Sequence, residues 1–160
     1  MIRALLFALA LLGWATTARA QQLDPLAFFT GKTRGEGTLK VVFQPRVPIR
    51  IESFGRPDGR GGLTLDQTIH EGVKPPRDRR WVLRPTSPTT MVGTITDTPG
   101  SVHGRLSGNK LYLNYTMKGG MKASQVLTLQ KGGRAIVNRM TVRRLGLIVA
   151  RVEETIRKLD

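Results

Sequence analysis

The chain has 160 residues, of which 26 are Lys or Arg, 11 are Asp or Glu and none is Cys. That length makes one ordinary domain with room for a core, and the absence of cysteine excludes a disulfide framework, a thiolate metal site and a cysteine nucleophile. With 18 glycines and 9 prolines in a chain that is 39% apolar, a globular, turn-rich, β-dominated domain is expected.

Residues 1–20 read as a secretory signal peptide. Arg3 precedes an uninterrupted apolar run over residues 4–12, and Ala18, Arg19 and Ala20 have the small-x-small form of a signal-peptidase site. The run is well short of the ~20 residues of a membrane span. The mature protein is therefore expected to begin near Gln21, to be soluble in the periplasm, and to lack a lipoprotein anchor because no Cys follows the cleavage site. Removing Arg3 and Arg19 leaves 24 basic against 11 acidic residues, a net charge of +13. Such a charge usually points to nucleic acid, but an exported protein meets little of it. An anionic membrane surface is the expected polyanion, attracted in a salt-dependent way; a solvated, solubilising surface accounts for the same charge.

Asp24 before Pro25, Leu26, Ala27, Phe28 and Phe29 is a helix start, with Asp as cap and Pro at the first helical position. Gly31 ends it after one or two turns. From there, turn signals recur every eight to twelve residues between short alternating runs, the pattern of a sandwich or barrel. The runs span residues 33–43, 47–54, 63–70, 80–84, 89–96, 101–106, 110–117, 122–130 and 134–142. In the third, Leu63, Leu65 and Ile69 alternate with Thr64, Asp66, Thr68 and His70. In the seventh, Leu111, Leu113, Tyr115 and Met117 alternate with Tyr112, Asn114 and Thr116. Gly108–Asn109 is a specific hairpin turn, because both residues tolerate positive φ. Residues 145–159 fit both a helical stripe (Leu145, Ile148, Val149, Val152, Ile156, Leu159) and a strand face, and periodicity alone leaves both open. Nine or ten antiparallel strands in one domain, residues 21–160, fit a closed meander barrel, which also disposes of free sheet edges.

Catalytic and metal constellations are poorly supported. His70 and His103 stand in separate runs, with no metal-ligand spacing, so no metal and no cofactor are expected. Asp97, Ser101 and His103 form the only close Ser/His/Asp set, without a strained nucleophile turn or an oxyanion loop. Glu153 and Glu154 are neighbours that a strand would point to opposite faces. Two basic clusters, one around Arg77, Arg79, Arg80 and Arg84 and one around Lys131, Arg134, Arg139, Arg143 and Arg144, suit either an anionic partner or a solvated face.

The order of the runs resembles a family of bacterial envelope proteins catalogued as domain of unknown function 3833. The matching stretches are Phe29, Thr30, Gly31, Lys32 and Thr33 with Gly37, then Leu63, Thr64, Leu65 and Asp66, then Arg79, Arg80 and Trp81. Gly93 and Thr94 with Asp97 and Gly100 follow, then Gly108, Asn109, Tyr115, Thr116, Asn138, Arg139, Gly146 and Glu153. The chain departs from the family in lacking the lipoprotein Cys. It also carries Ser124, Gln125, Val126, Leu127, Thr128 and Leu129 where paired aspartates and a Trp are usual. The resemblance implies a lipocalin-like β-barrel, a terminal strand over residues 145–159, and a setting beside enzymes that modify membrane fatty acids; it carries over no catalytic residue.

The expected function is that of an exported, non-enzymatic, monomeric binding protein for a lipid or other amphiphile. In a lipocalin-like barrel the apolar faces of the clearest strands point inward, which makes Leu63, Leu65, Trp81, Leu83, Leu111, Leu113 and Tyr115 the candidate ligand-binding residues, with Arg79 or Arg139 at the rim to meet an acidic head. The same residues would simply pack on one another if the barrel filled itself. An accessory enzyme of fatty-acid modification and a structural protein of anionic surfaces are the alternatives. A filled barrel favours the structural role, an apolar cavity the carrier, and a cavity with clustered acids or bases the enzyme.

Overall fold

The computed structural model describes residues 21–160; the expected signal peptide, residues 1–20, lies outside them. Asp24 caps α1 (Pro25–Phe29) by accepting the Ala27 amide on its carboxylate at 3.0 Å. Ten strands follow: β1 (Gly31–Val41), β2 (Arg46–Pro57), β3 (Leu63–Glu71), β4 (Arg77–Ser87), β5 (Thr90–Ile95), β6 (Val102–Ser107), β7 (Lys110–Thr116), β8 (Lys122–Leu129), β9 (Ala135–Arg144) and β10 (Leu147–Lys158). Each pairs antiparallel with its sequence neighbour, and β10 returns to β1, so the sheet is a closed all-β barrel without an edge.

The ambiguous last segment is a strand. β1 needs a second partner once β2 has taken one of its edges, and β9 presents a matching edge on the other side of the gap. A helix there would leave two rows of backbone groups unpaired. β10 fills the gap with a register shift between Ile148 and Ala150.

The two ends of the barrel differ. At one end Leu23, Phe28 and Phe29 close over a core that includes Leu63, Leu83, Leu111, Leu129 and Ile136. α1 is held there by close approach: a Cβ on Gly55 would stand 1.8 Å from the Phe29 carbonyl oxygen, so only glycine lets α1 rest on β2. The other end carries the hairpin loops β1–β2, β3–β4, β5–β6, β7–β8 and β9–β10, and among the described residues no α-helix covers it.

Candidate functional site

Period-two alternation sends every second residue inward, and in several strands one inward position is polar. Gln67 is in phase with Leu65 and Ile69, Arg79 with Trp81, Gln125 with Ala123 and Leu127, Asn138 with Ile136, and Glu154 with Ile156. The cross-strand register joins Thr33 to Ser53, Ser53 to Gln67, Gln67 to Arg79, and Asn138 to Glu154. The result is a polar belt at the waist of the barrel.

Beneath the belt, toward α1, the interior is packed. Above it lies a cavity of about 400 Å³ at the open end, within the usual range of small-molecule sites. Leu39, Ile49, Ile51, Ile69, Met140 and Val152 give it apolar walls; Arg79, Tyr115, Gln125, Asn138 and Glu154 bring polar groups to it.

The belt is partly satisfied by its own bonds. Trp81 Nε1 donates to Gln67 Oε1 at 2.8 Å, and Gln67 Nε2 donates to Ser53 Oγ at 3.1 Å. Arg79 donates through Nε and Nη2 to Asp97 Oδ2 at 3.1 and 2.9 Å, and Arg77 Nη1 reaches the same oxygen at 3.0 Å. Two guanidinium groups thus share one carboxylate. Burial pushes the Tyr115 phenol up to about 12, so it remains a neutral hydroxyl; its ring meets Trp81 edge-on at 5.7 Å.

Glu154, Asn138 and Thr33 are the exceptions. Asn138 is 1% exposed and Glu154 7%. Asn138 Nδ2 donates to Glu154 Oε1 at 2.8 Å, yet Asn138 Oδ1 and Glu154 Oε2 have no hydrogen-bond partner among the described residues. Thr33 Oγ1 is unpartnered in the same way. Leaving buried polar atoms without a partner is costly, so these three residues are set apart from the rest of the belt. Burial holds the Glu154 carboxyl above the ordinary carboxylate range, opposed by the bond from Asn138 and by the Arg79 charge. Glycine makes the room: a Cβ on Gly35 would lie 2.4 Å from Glu154 Oε2.

Of the residues singled out in the sequence, Arg79 and Tyr115 line the cavity. Leu63, Leu65, Trp81, Leu83, Leu111 and Leu113 belong to the packed half. Arg139 stands exposed on the outer face, paired in register with Glu153. Asp97 faces Arg79, whereas Ser101 and His103 are exposed, so the three form no triad. Glu153 is exposed and Glu154 buried, as opposite strand faces require. Gln125, Asn138 and Glu154 are not among the ligand-binding residues expected from the sequence, although each interrupts an inward apolar row.

No curated protein sequence matches the chain. Among solved structures it is similar to the S-type phycobiliprotein lyase CPES from Guillardia theta, with a TM-score of 0.67 at 6% identity over 84% of this chain and 90% of that one. It is similar also to Rv2717c from M. tuberculosis, with a TM-score of 0.61 at 14% identity over 86% of this chain and 99% of that one. At such identities these likenesses concern the fold: the barrel is lipocalin-like. The family model for the protein of unknown function DUF3833 matches residues 13–158, and with it the order of short motifs along the strands is accounted for: the chain belongs to the DUF3833 family.

Proposed function

We propose that the chain is an exported binding protein of the bacterial envelope that holds one amphiphile in the open half of its barrel, polar head at the Asn138–Glu154 pair and apolar chain toward the mouth. The observation that carries this reading is the cavity of about 400 Å³ with apolar walls, in whose lining stand Asn138 and Glu154, each with one buried polar atom left without a partner among the described residues. Asn138 Oδ1 needs a donor, which a hydroxyl or amide head supplies and a carboxylate does not. The arginines nearby already share Asp97. An uncharged, donor-bearing head is therefore preferred over an anionic one.

Native mass spectrometry of protein purified from its own host tests the reading by the mass of a co-purified amphiphile. Displacement of a fluorescent fatty-alcohol probe by decanol, decanamide and decanoic acid ranks the head groups. Val152→Trp, which fills the cavity, is expected to abolish probe binding. No saturable binding, or a filled variant that binds as before, overturns the reading. The export half is tested separately, by a mature N-terminus at Gln21 in the periplasmic fraction.

One observation favours a second reading, an accessory enzyme of fatty-acid modification. A buried carboxyl with a raised pKa is suited to giving up a proton in an apolar site. Turnover lost in Glu154→Gln with ligand binding retained would support it.

A further inference from the structure

The loops at the two ends of the barrel are built from different residues. At the α1 end the hairpin tips are residues 58–62, 88–89, 108–109 and 130–134, made of Asp, Gly, Arg, Pro, Thr, Asn, Gln and Lys. At the mouth three of the five tips carry exposed large apolar side chains. Phe43 in the β1–β2 loop and Val73 in the β3–β4 loop are fully exposed, Leu145 in the β9–β10 loop is 95% exposed, and Leu147 beside it is 73% exposed. They are the four most exposed large hydrophobic residues described, and all four stand at the cavity opening, on the adjoining hairpins β9–β10, β1–β2 and β3–β4.

Two of these tips are also held in an unfavourable backbone. Phe43 has φ 61° and Leu145 φ 50°, and they are the only non-glycine residues at positive φ among those described. Bulky side chains are rare in that region, which glycine or asparagine enters freely. Nothing in the fold asks for Phe or Leu at these turns, since neither side chain packs on the protein. Local strain together with exposed apolar surface is a pattern associated with interaction sites.

The same rim is cationic. Lys40, Arg46, Lys118, Lys122, Arg143 and Arg144 are exposed on strand ends and turns at the mouth. None of the six makes an ion pair with a carboxylate among the described residues, whereas Lys74 and Arg77 at this end are paired. Cations are present at the α1 end too, at Arg60 and Lys131, but without apolar tips. Apolar tips inside a ring of free cations match the depth profile of an anionic bilayer, with acyl chains beneath a layer of phosphates.

We propose that the open end of the barrel is a membrane-docking face: Phe43, Val73, Leu145 and Leu147 enter the acyl layer of an anionic bilayer while the surrounding Lys and Arg side chains hold its phosphates. Docked in this way, the cavity mouth faces the lipid, so an amphiphile passes between barrel and bilayer without crossing water. The inference does not depend on what fills the cavity.

Sedimentation with phosphatidylglycerol and phosphatidylcholine vesicles tests it. Because every variant shares residues 1–20, differences between variants report on the rim. The wild type is expected to bind phosphatidylglycerol at low salt, to be released by raised salt, and to bind phosphatidylcholine far less. The double variant F43G/L145G should lose at least about tenfold in partition coefficient, from the apolar burial it forgoes. Its melting temperature should not fall, because glycine accepts both backbones; lost binding is then not lost folding. R143E/R144E should lose binding similarly, and R60E/K131E at the far end should not. The proposal is overturned by absence of phosphatidylglycerol binding, by equal binding to phosphatidylcholine, or by an F43G/L145G variant that binds as well as wild type. An effect of R60E/K131E as large as that of R143E/R144E overturns it too.

Discussion

The same leucine-to-alanine change made on either side of the polar belt should have unequal consequences. Leu111 is 1% exposed and belongs to the packed core toward α1. Leu39 lines the cavity. Deleting three carbons from Leu111 forfeits about 2.4 kcal/mol of transfer energy at ~0.8 per carbon. The void left in a close-packed region adds to that, for about 3–4 kcal/mol in all. At Leu39 one side already faces open space, so contacts are fewer and no new void is created; about 1 kcal/mol is expected. For a barrel of this size the Leu111→Ala loss is on the order of 10 °C in Tm, and the Leu39→Ala loss about 3 °C. Urea titrations followed by circular dichroism read both as midpoint shifts at constant slope. Equal losses would refute the reasoning, because they would mean that the open half is packed as tightly as the closed half and that the cavity is not a feature of the protein in solution.

Glu154→Gln should raise stability at neutral pH. Burial raises the folded carboxyl above its ordinary value, so the folded chain holds the proton more tightly than the unfolded one, and wild-type stability falls as pH rises from the unfolded value through the raised folded value. Denaturation across that window should show the decline in wild type and its absence in the variant. Gly55→Ala drives a Cβ onto the Phe29 carbonyl, 1.8 Å away, so α1 should be displaced and the closed end opened, seen as faster amide exchange at Thr30, whose N–H bonds to the Leu26 carbonyl. Asp58 accepts the Arg60 and Gly62 amides at 2.8 Å each. Those bonds hold its carboxyl below the usual range, so the β2–β3 hairpin should loosen only as pH falls through that depressed value. Asp58→Ala should show the same loosening at neutral pH, as faster exchange of the Gly62 amide.

Most strands were legible because one side of each is buried and the other wet, a difference that writes itself into alternation. β7 is the cleanest instance, with Leu111, Leu113 and Tyr115 buried and Asn114 exposed. α1 was legible from Asp24 and Pro25, whose effects are local to one turn of backbone. The polar belt was harder to read. Gln67, Asn138 and Glu154 are single polar residues in inward phase, and such a residue reads as a lapse in the pattern until its neighbours across the sheet are known.

What the amino-acid order determined by itself is the set of strands, their turns, and which face of each points inward, because these depend on contacts within a few residues. Height along the barrel axis is a different quantity. Leu39 and Leu111 are both inward leucines, yet one lines a cavity and the other a packed core. The difference arises from cross-strand register, from α1 closing one end only, and from glycines such as Gly35 that vacate space for a side chain on another strand. The identity of β10 was likewise a tertiary matter, settled by two unpaired edges on either side of it. Register and closure join residues more than a hundred positions apart, as Thr33 and Lys158 are joined. No local period encodes such a distance, and only the assembled barrel could decide where the interior leaves room.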